Sequence, residues 1–177
     1  MISAFKNFIL SWARRDDGVA AVEAALIFPI MLTLLMGTYD LGNAILANQK
    51  TIRASQVVGD LVTRERSIDD QGIDDAIDAA ELALVPMPPE GLGIDIVSIS
   101  FDENEQATIE WRETRGMTAD PDVLNRVAGL AAPNEGVVVV LVRYNFLPIF
   151  ANFVTGEIAM EEVAFTRGRK SAVVTRT

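Results

Sequence analysis

Residues Val19 to Tyr39, VAAVEAALIFPIMLTLLMGTY, form one apolar run whose single charge is Glu23. Coiled as an α-helix, such a run reaches about 30 Å, the thickness of a bilayer's hydrocarbon core. Pro29 bends a helix of this kind without preventing a span, because membrane helices tolerate proline. The preceding segment, MISAFKNFILSWARRDDG, carries Phe5, Phe8, Ile9 and Trp12 at helical spacing beside Lys6, Arg14 and Arg15. That pattern predicts a short amphipathic helix at a membrane surface. A buried core helix is the competing reading of the apolar run, and its length and basic flank favour the span. Arg14 and Arg15 place the N-terminus in the cytoplasm by the positive-inside rule, and Lys50 and Arg53 oppose this without reversing it.

Composition narrows the function. The chain has 177 residues and a formal charge of −10, so an extended phosphate backbone is a poor partner and no nucleic-acid role is expected. It has no Cys and no His, which removes disulfides, thiolate and imidazole metal sites, and any triad built on histidine. No cofactor and no enzymatic activity are expected.

Beyond the run, residues 40 to about 66 are expected to continue the helix into water. Leu41, Ile45, Ile52 and Val62 are expected to form its packing stripe, diluted by Asn48, Ser55 and Gly59. A second helix follows, capped by Asp69 or Asp70, with Ile73, Ile77, Ala80 and Leu84 on one face and Pro86 as its stop. MPPEGLG, Met87 to Gly93, is a connector. Residues 94–101 and 108–113 read as a hairpin with one buried face and the turn DENEQ. Asp120 to Leu130 reads as a short helix capped by Asp120, with Pro121 at its first position. VVVVLVRYNF after Gly136 is a buried strand, and Glu157 to Arg169 a final strand. The expected fold class is α+β: a long N-terminal membrane-spanning helix, then a small domain with a mostly antiparallel sheet and one or two short helices. The corresponding divisions are 1–18, a cytoplasmic leader; 19–66, the helix, transmembrane to about residue 39; and 67–177, a periplasmic globular domain.

The spacing that carries function is Gly18, then four apolar residues, then Glu23. Cleavage after a glycine on the cytoplasmic side leaves the apolar run as an anchor, with Val19 as the new N-terminus and Glu23 fifth. An ordinary secretory signal is cut after its apolar run instead, at a site such as Gly42-Asn43-Ala44. A carboxylate at mid-depth in a bilayer costs about 2.5 kcal/mol or more, so Glu23 needs a partner or a shallow position. A cut after Gly18 would free an amine on Val19, one helical turn away, to pair with Glu23 of the same chain or of a neighbour.

Through DDGVAAVEAALIFPIMLTLLMGTYDLGNAILANQKTIRAS and QVVGDLVTR, and more loosely through ATIEWRE and VVVVLVRYNFLPIF, the chain resembles the TadE-like pseudopilins of Tad (Flp-type) pilus systems. The resemblance implies a pseudopilin or minor pilin that takes part in pilus assembly. It implies prepilin peptidase cleavage between Gly18 and Val19, with Glu23 as the assembly glutamate. The implied partners are the peptidase, other pilins or pseudopilins, the inner-membrane assembly platform and membrane lipid. The implied location is the inner membrane in a single pass, with the C-terminal domain periplasmic or carried into the pilus. Ala24 departs from the family, whose pilins usually place an aromatic residue after the glutamate. The alternative function is an unprocessed, signal-anchored binding or scaffold domain of the cell envelope.

Three other charge patterns compete. The acidic run Asp69, Asp70, Asp74, Asp75, Asp78 and Glu81 reads as a solvated helix face, and Asp102, Glu103 and Glu105 as a polar turn, rather than calcium loops. Glu110 and Glu113 are expected on opposite faces of a strand, too far apart in direction to act as a carboxylate pair. Arg167, Arg169, Lys170 and Arg176 make a basic C-terminal end, read as a solvated edge or as a surface for a neighbouring subunit.

Overall fold

A computed structural model describes residues 17–130 and 132–177. The amphipathic helix expected in the leader, with Lys6, Arg14 and Arg15, lies outside the described residues.

The first element, α1, runs unbroken from Asp17 to Val62 through Pro29. Its 46 residues make it about 70 Å long. None of its most apolar 18-residue window is buried. The run is therefore not the core helix of this chain's own domain, and it is long and apolar enough to cross a membrane.

From Asp40 onward α1 becomes part of a folded domain. Asp40, Ala47, Thr51, Ala54, Val58 and Val62 are buried at spacings of three, four or seven. The stripe expected from hydrophobicity is thus corrected. Leu41 and Ile45 are 61% and 53% exposed, and Ile52 is half-buried. Small residues win this face because they let the sheet come close: a Cβ on Gly59 would lie 3.0 Å from Thr166 Oγ1. Their hydroxyls are satisfied within the helix. Thr51 Oγ1 donates to the Ala47 carbonyl at 3.0 Å, Ser55 Oγ to Ile52 at 2.8 Å, and Thr63 Oγ1 to Gly59 at 2.7 Å.

A two-residue strand β1 (Ser67–Ile68) leads into α2 (Asp70–Leu84). The cap is Asp69, whose Oδ1 accepts the Gly72 N–H at 2.8 Å. Ile73, Ala76, Ile77, Ala80 and Leu84 are buried against α1 and the sheet. The sheet holds β2 (Leu92–Phe101), β3 (Ala107–Arg115), β4 (Gly136–Phe146) and β5 (Ile158–Thr166), antiparallel in the order β3-β2-β4-β5. A two-residue β6 (Thr175–Arg176) pairs in parallel with β1. The fold is α+β, as expected.

One face of the sheet carries Ile94, Ile96, Trp111, Val138, Val140 and Val142 and packs under α1 and α2. The hairpin was expected to bury one face only, but β2 is buried on both. Val97, Ile99, Phe101, Val137 and Val139 pack on the other side against Val123 and Val127. Those two come from the excursion between β3 and β4, whose helix α3 is only Val123–Arg126. The longer helix expected from Asp120 does not form, and Asp120 does not cap it. Its Oδ1 accepts the Asp122 N–H at 3.0 Å and its Oδ2 takes Arg126 Nε at 2.7 Å. The last long strand ends at Thr166, and residues after it turn back beneath the sheet. There the Val174 carbonyl accepts Trp111 Nε1 and Ser98 Oγ, both at 2.8 Å.

Candidate functional site

The segment singled out by sequence is the exposed half of α1. Gly18 and Val19 sit at its start, and a Cβ added to Gly18 would meet nothing within 4 Å. No packing within the described chain requires glycine there. Glycine is a poor helix former, so the backbone at this bond opens at low cost. Glu23 lies four residues beyond Val19 on the same helix and is exposed. At that separation two helical residues share a face, so the structure brings Val19 and Glu23 together. Around them Val22, Leu26, Ile27, Phe28, Ile30 and Met31 are each more than half exposed. A surface of this kind is stable against lipid or against other apolar helices, and costly in water.

The lower edge of the domain grips α1 where the apolar run ends. The Asp40 carboxylate is 5% exposed and accepts three backbone N–H groups, from Ile149 at 3.0 Å, Phe150 at 2.9 Å and Ala151 at 2.6 Å. These belong to the loop after β4, which leads into the short helix α4 (Asn152–Thr155). Tyr39 stacks edge-on against Phe150 with ring centroids 5.8 Å apart. Beside this collar a cleft of about 600 Å³ opens between Tyr39, Met87, Tyr144 and Leu147. Sequence reasoning missed Asp40. Its partners lie 109 to 111 residues away, and only its place as the first charge after the run hinted at a role.

The remaining charged groups settle into structural roles. Asp95, 1% exposed, loses solvation, yet hydrogen bonds from Arg112, the Asp120 N–H and Thr114 outweigh that burial and hold its carboxyl below the usual range. Of the acidic helix, Asp70 pairs with Arg176 at 2.8 Å and Asp74 with Arg115 at 2.8 Å. Asp102 Oδ1 accepts the N–H groups of Asn104 and Gln106 at 2.8 Å each and so shapes the hairpin turn. Among the described residues no group of three or more carboxylates is arranged to hold a metal.

The basic C-terminal end is paired within the chain: Arg167 with Glu135, Arg169 with Asp60, Lys170 with Glu65 at 2.8 Å, and Arg176 with Asp70 and Glu113. Glu110 and Glu113 are not on opposite faces. A bulge between Ser98 and Ile99 makes Glu110 an extra residue opposite no partner, so it and Trp111 share a side. They still serve separately, Glu110 accepting from Ser100 Oγ at 2.6 Å and Glu113 binding Arg115 and Arg176.

Residues 18–59 match the family model described as TadE-like protein. The match starts at the glycine of the candidate cleavage bond and covers Glu23, the exposed run and Asp40. It ends at Gly59, where α1 meets Thr166. The resemblance read from the sequence is therefore matched over residues 18–59. No curated protein and no solved structure gives a significant match.

Proposed function

We propose that this chain is a minor pilin or pseudopilin of a Tad-type pilus system, held in the inner membrane by α1 with its domain in the periplasm. The observation that carries the reading is the TadE-like match over residues 18–59 on a helix whose most apolar window is not buried among the described residues. Cleavage by a prepilin peptidase after Gly18 removes the leader and leaves the helix as the anchor. The new Val19 amine and the Glu23 carboxylate then compensate each other in a medium where either alone is costly. In assembly the lipid around residues 19–39 is exchanged for helices of neighbouring pilins. Exchanging this pairing for one between Glu23 and a neighbour's amine favours one axial register, because in other registers each Glu23 has only its own chain's amine as partner. Leu41 and Ile45, exposed just beyond the apolar run, extend the same contact toward the periplasm.

The test is the intact mass and N-terminal sequence of the protein extracted from membranes that contain the peptidase. A chain beginning at Val19 is expected, and Gly18→Leu is expected to retain the leader while remaining in the membrane. A wild-type chain that keeps Met1 would instead make it an unprocessed signal-anchored scaffold.

A further inference from the structure

The lower end of the domain carries an uncharged segment, LPIFANFVTG from Leu147 to Gly156, that the function above does not use. Leu147 is 51% exposed, Ile149 66%, Phe150 40% and Val154 72%. Loops that face water do not usually present four apolar side chains within eight residues. Its depth is fixed by α1. Asp40 holds the N–H groups of residues 149–151, and Asp40 directly follows the last residue of the apolar run. Phe150 meets Tyr39, an aromatic type favoured at the headgroup level. The opposite end of the sheet differs in kind. The hairpin turn there carries Asp102, Glu103 and Glu105, and Glu135, Arg167, Arg169 and Lys170 stand near it. The 11 residues of β4 separate the two ends by about 35 Å.

We infer that the Leu147–Gly156 loop lies in the lipid interface, with Ile149 and Val154 inserted among the headgroups, as a second contact of the domain with the membrane. It rests on the transmembrane reading of α1. A single helix leaves a domain free to tilt and spin about its anchor. A loop clamped to the same helix at the membrane surface removes that freedom, so the domain meets neighbouring subunits in one orientation. Because Asp40 and the loop are joined by hydrogen bonds that lie within the domain, the contact forms without refolding.

The chain has no Cys, so single-cysteine variants take a probe at one site only. The full chain with Val154→Cys, Ile149→Cys, Leu34→Cys or Asn104→Cys is labelled with a nitrobenzoxadiazole fluorophore. Each is reconstituted in phosphatidylcholine–phosphatidylglycerol vesicles and quenched by nitroxide lipid or by aqueous iodide. Probes at Val154 and Ile149 are expected to be quenched by shallow nitroxide lipid and to lose most of the iodide quenching shown by Asn104. Leu34 is expected to respond to deep nitroxide lipid only. Iodide quenching at Val154 and Ile149 equal to that at Asn104, with Leu34 still in lipid, overturns the inference and leaves the anchor intact. A Leu34 probe that is open to iodide overturns the anchor reading itself. Shielding at Val154 from both quenchers, relieved on dilution with lipid, assigns the loop to a second copy of the chain and likewise overturns the lipid contact.

Discussion

The two halves of α1 share one helix and reverse the usual relation between composition and burial. Between Val19 and Tyr39 most of the side chains are apolar and many are large, and the most apolar window has nothing buried among the described residues. Between Asp40 and Val62 the inward face is Ala47, Thr51, Ala54, Ser55, Val58 and Gly59, and every one of these is buried. Hydrophobicity along this helix therefore does not tell which residues meet the core. Against lipid, large side chains cover the backbone and the helix can stand apart. Against a sheet, small side chains permit close approach, and their hydroxyls bond back to the helix instead of asking the sheet for partners.

The sharpest way to break this contrast is to place the same charge in each half. Val58 is fully buried, so Val58→Asp puts a carboxylate into the domain's core without a partner. A loss of about 4 kcal/mol or more in domain stability is expected, read from the urea midpoint by near-UV circular dichroism. Leu34 is 66% exposed in the apolar half. Leu34→Asp is expected to leave that midpoint unchanged and to reduce membrane insertion, at a cost of up to about 3 kcal/mol, the value for the centre of a span. If Leu34→Asp unfolded the domain as Val58→Asp does, the division of α1 into two media would be wrong.

Buried polar groups sharpen the contrast further, since some are satisfied within one helix and others only by distant chain. Asp95 belongs to the second kind, holding Arg112, Thr114 and the Asp120 N–H together beneath the excursion. Asp95→Ala leaves the Arg112 guanidinium half-enclosed without its carboxylate, and a loss of about 3 kcal/mol is expected. The same group sets an acid limit. Its carboxyl is held below the ordinary value, so the folded chain binds fewer protons there than the unfolded chain. Its contribution is complete above the unfolded value of about 3.9 and is lost as pH falls through the lower folded value. Wild-type melting temperature should fall with pH across that window more steeply than that of Asp95→Ala. Parallel pH profiles would show that Asp95 is not the group responsible.

Asp40 marks where sequence reading stopped. The long apolar helix, the cap at Asp69, the hairpin and the strand after Gly136 rest on local pattern, and all four are found where that pattern puts them. The buried stripe of α1 was misjudged because small residues carry little hydrophobic signal. The second buried face of β2 depends on Val123 and Val127, in an excursion whose pattern suggested a longer helix. The bulge at Glu110 defeats strict alternation by one residue. Gly18 and Glu23 stand out in the sequence through chain-local spacing, and the family match covers both, whereas the bonds from Asp40 to Ile149, Phe150 and Ala151 cross most of the domain. Asp40→Leu strands three N–H groups at the edge of the domain, some of which water can reach, so a loss of about 2 kcal/mol is expected. Hydrogen exchange should accelerate at the amides of residues 149–151 more than in β4. Unchanged protection there would mean that the loop is held by its apolar contacts alone.

The smallest effect is expected at Thr51, which is as buried as Val58 and polar like Asp95. Its hydroxyl donates to the Ala47 carbonyl four residues back, an oxygen that the regular helix already engages through the Thr51 N–H. Thr51→Val removes that hydroxyl and leaves no obligatory donor or acceptor unpaired, while adding a methyl group of similar size. A change within about 1 kcal/mol in either direction is expected from the urea midpoint, the lost hydrogen bond being offset by added apolar burial. Equal behaviour of Thr51→Val and Asp95→Ala would mean that the hydroxyl serves the sheet, and local satisfaction would no longer explain why this half of α1 is built from small polar residues. A near-neutral result means that what matters at Thr51 is its size, which sets how closely the rest of the domain can lie against α1.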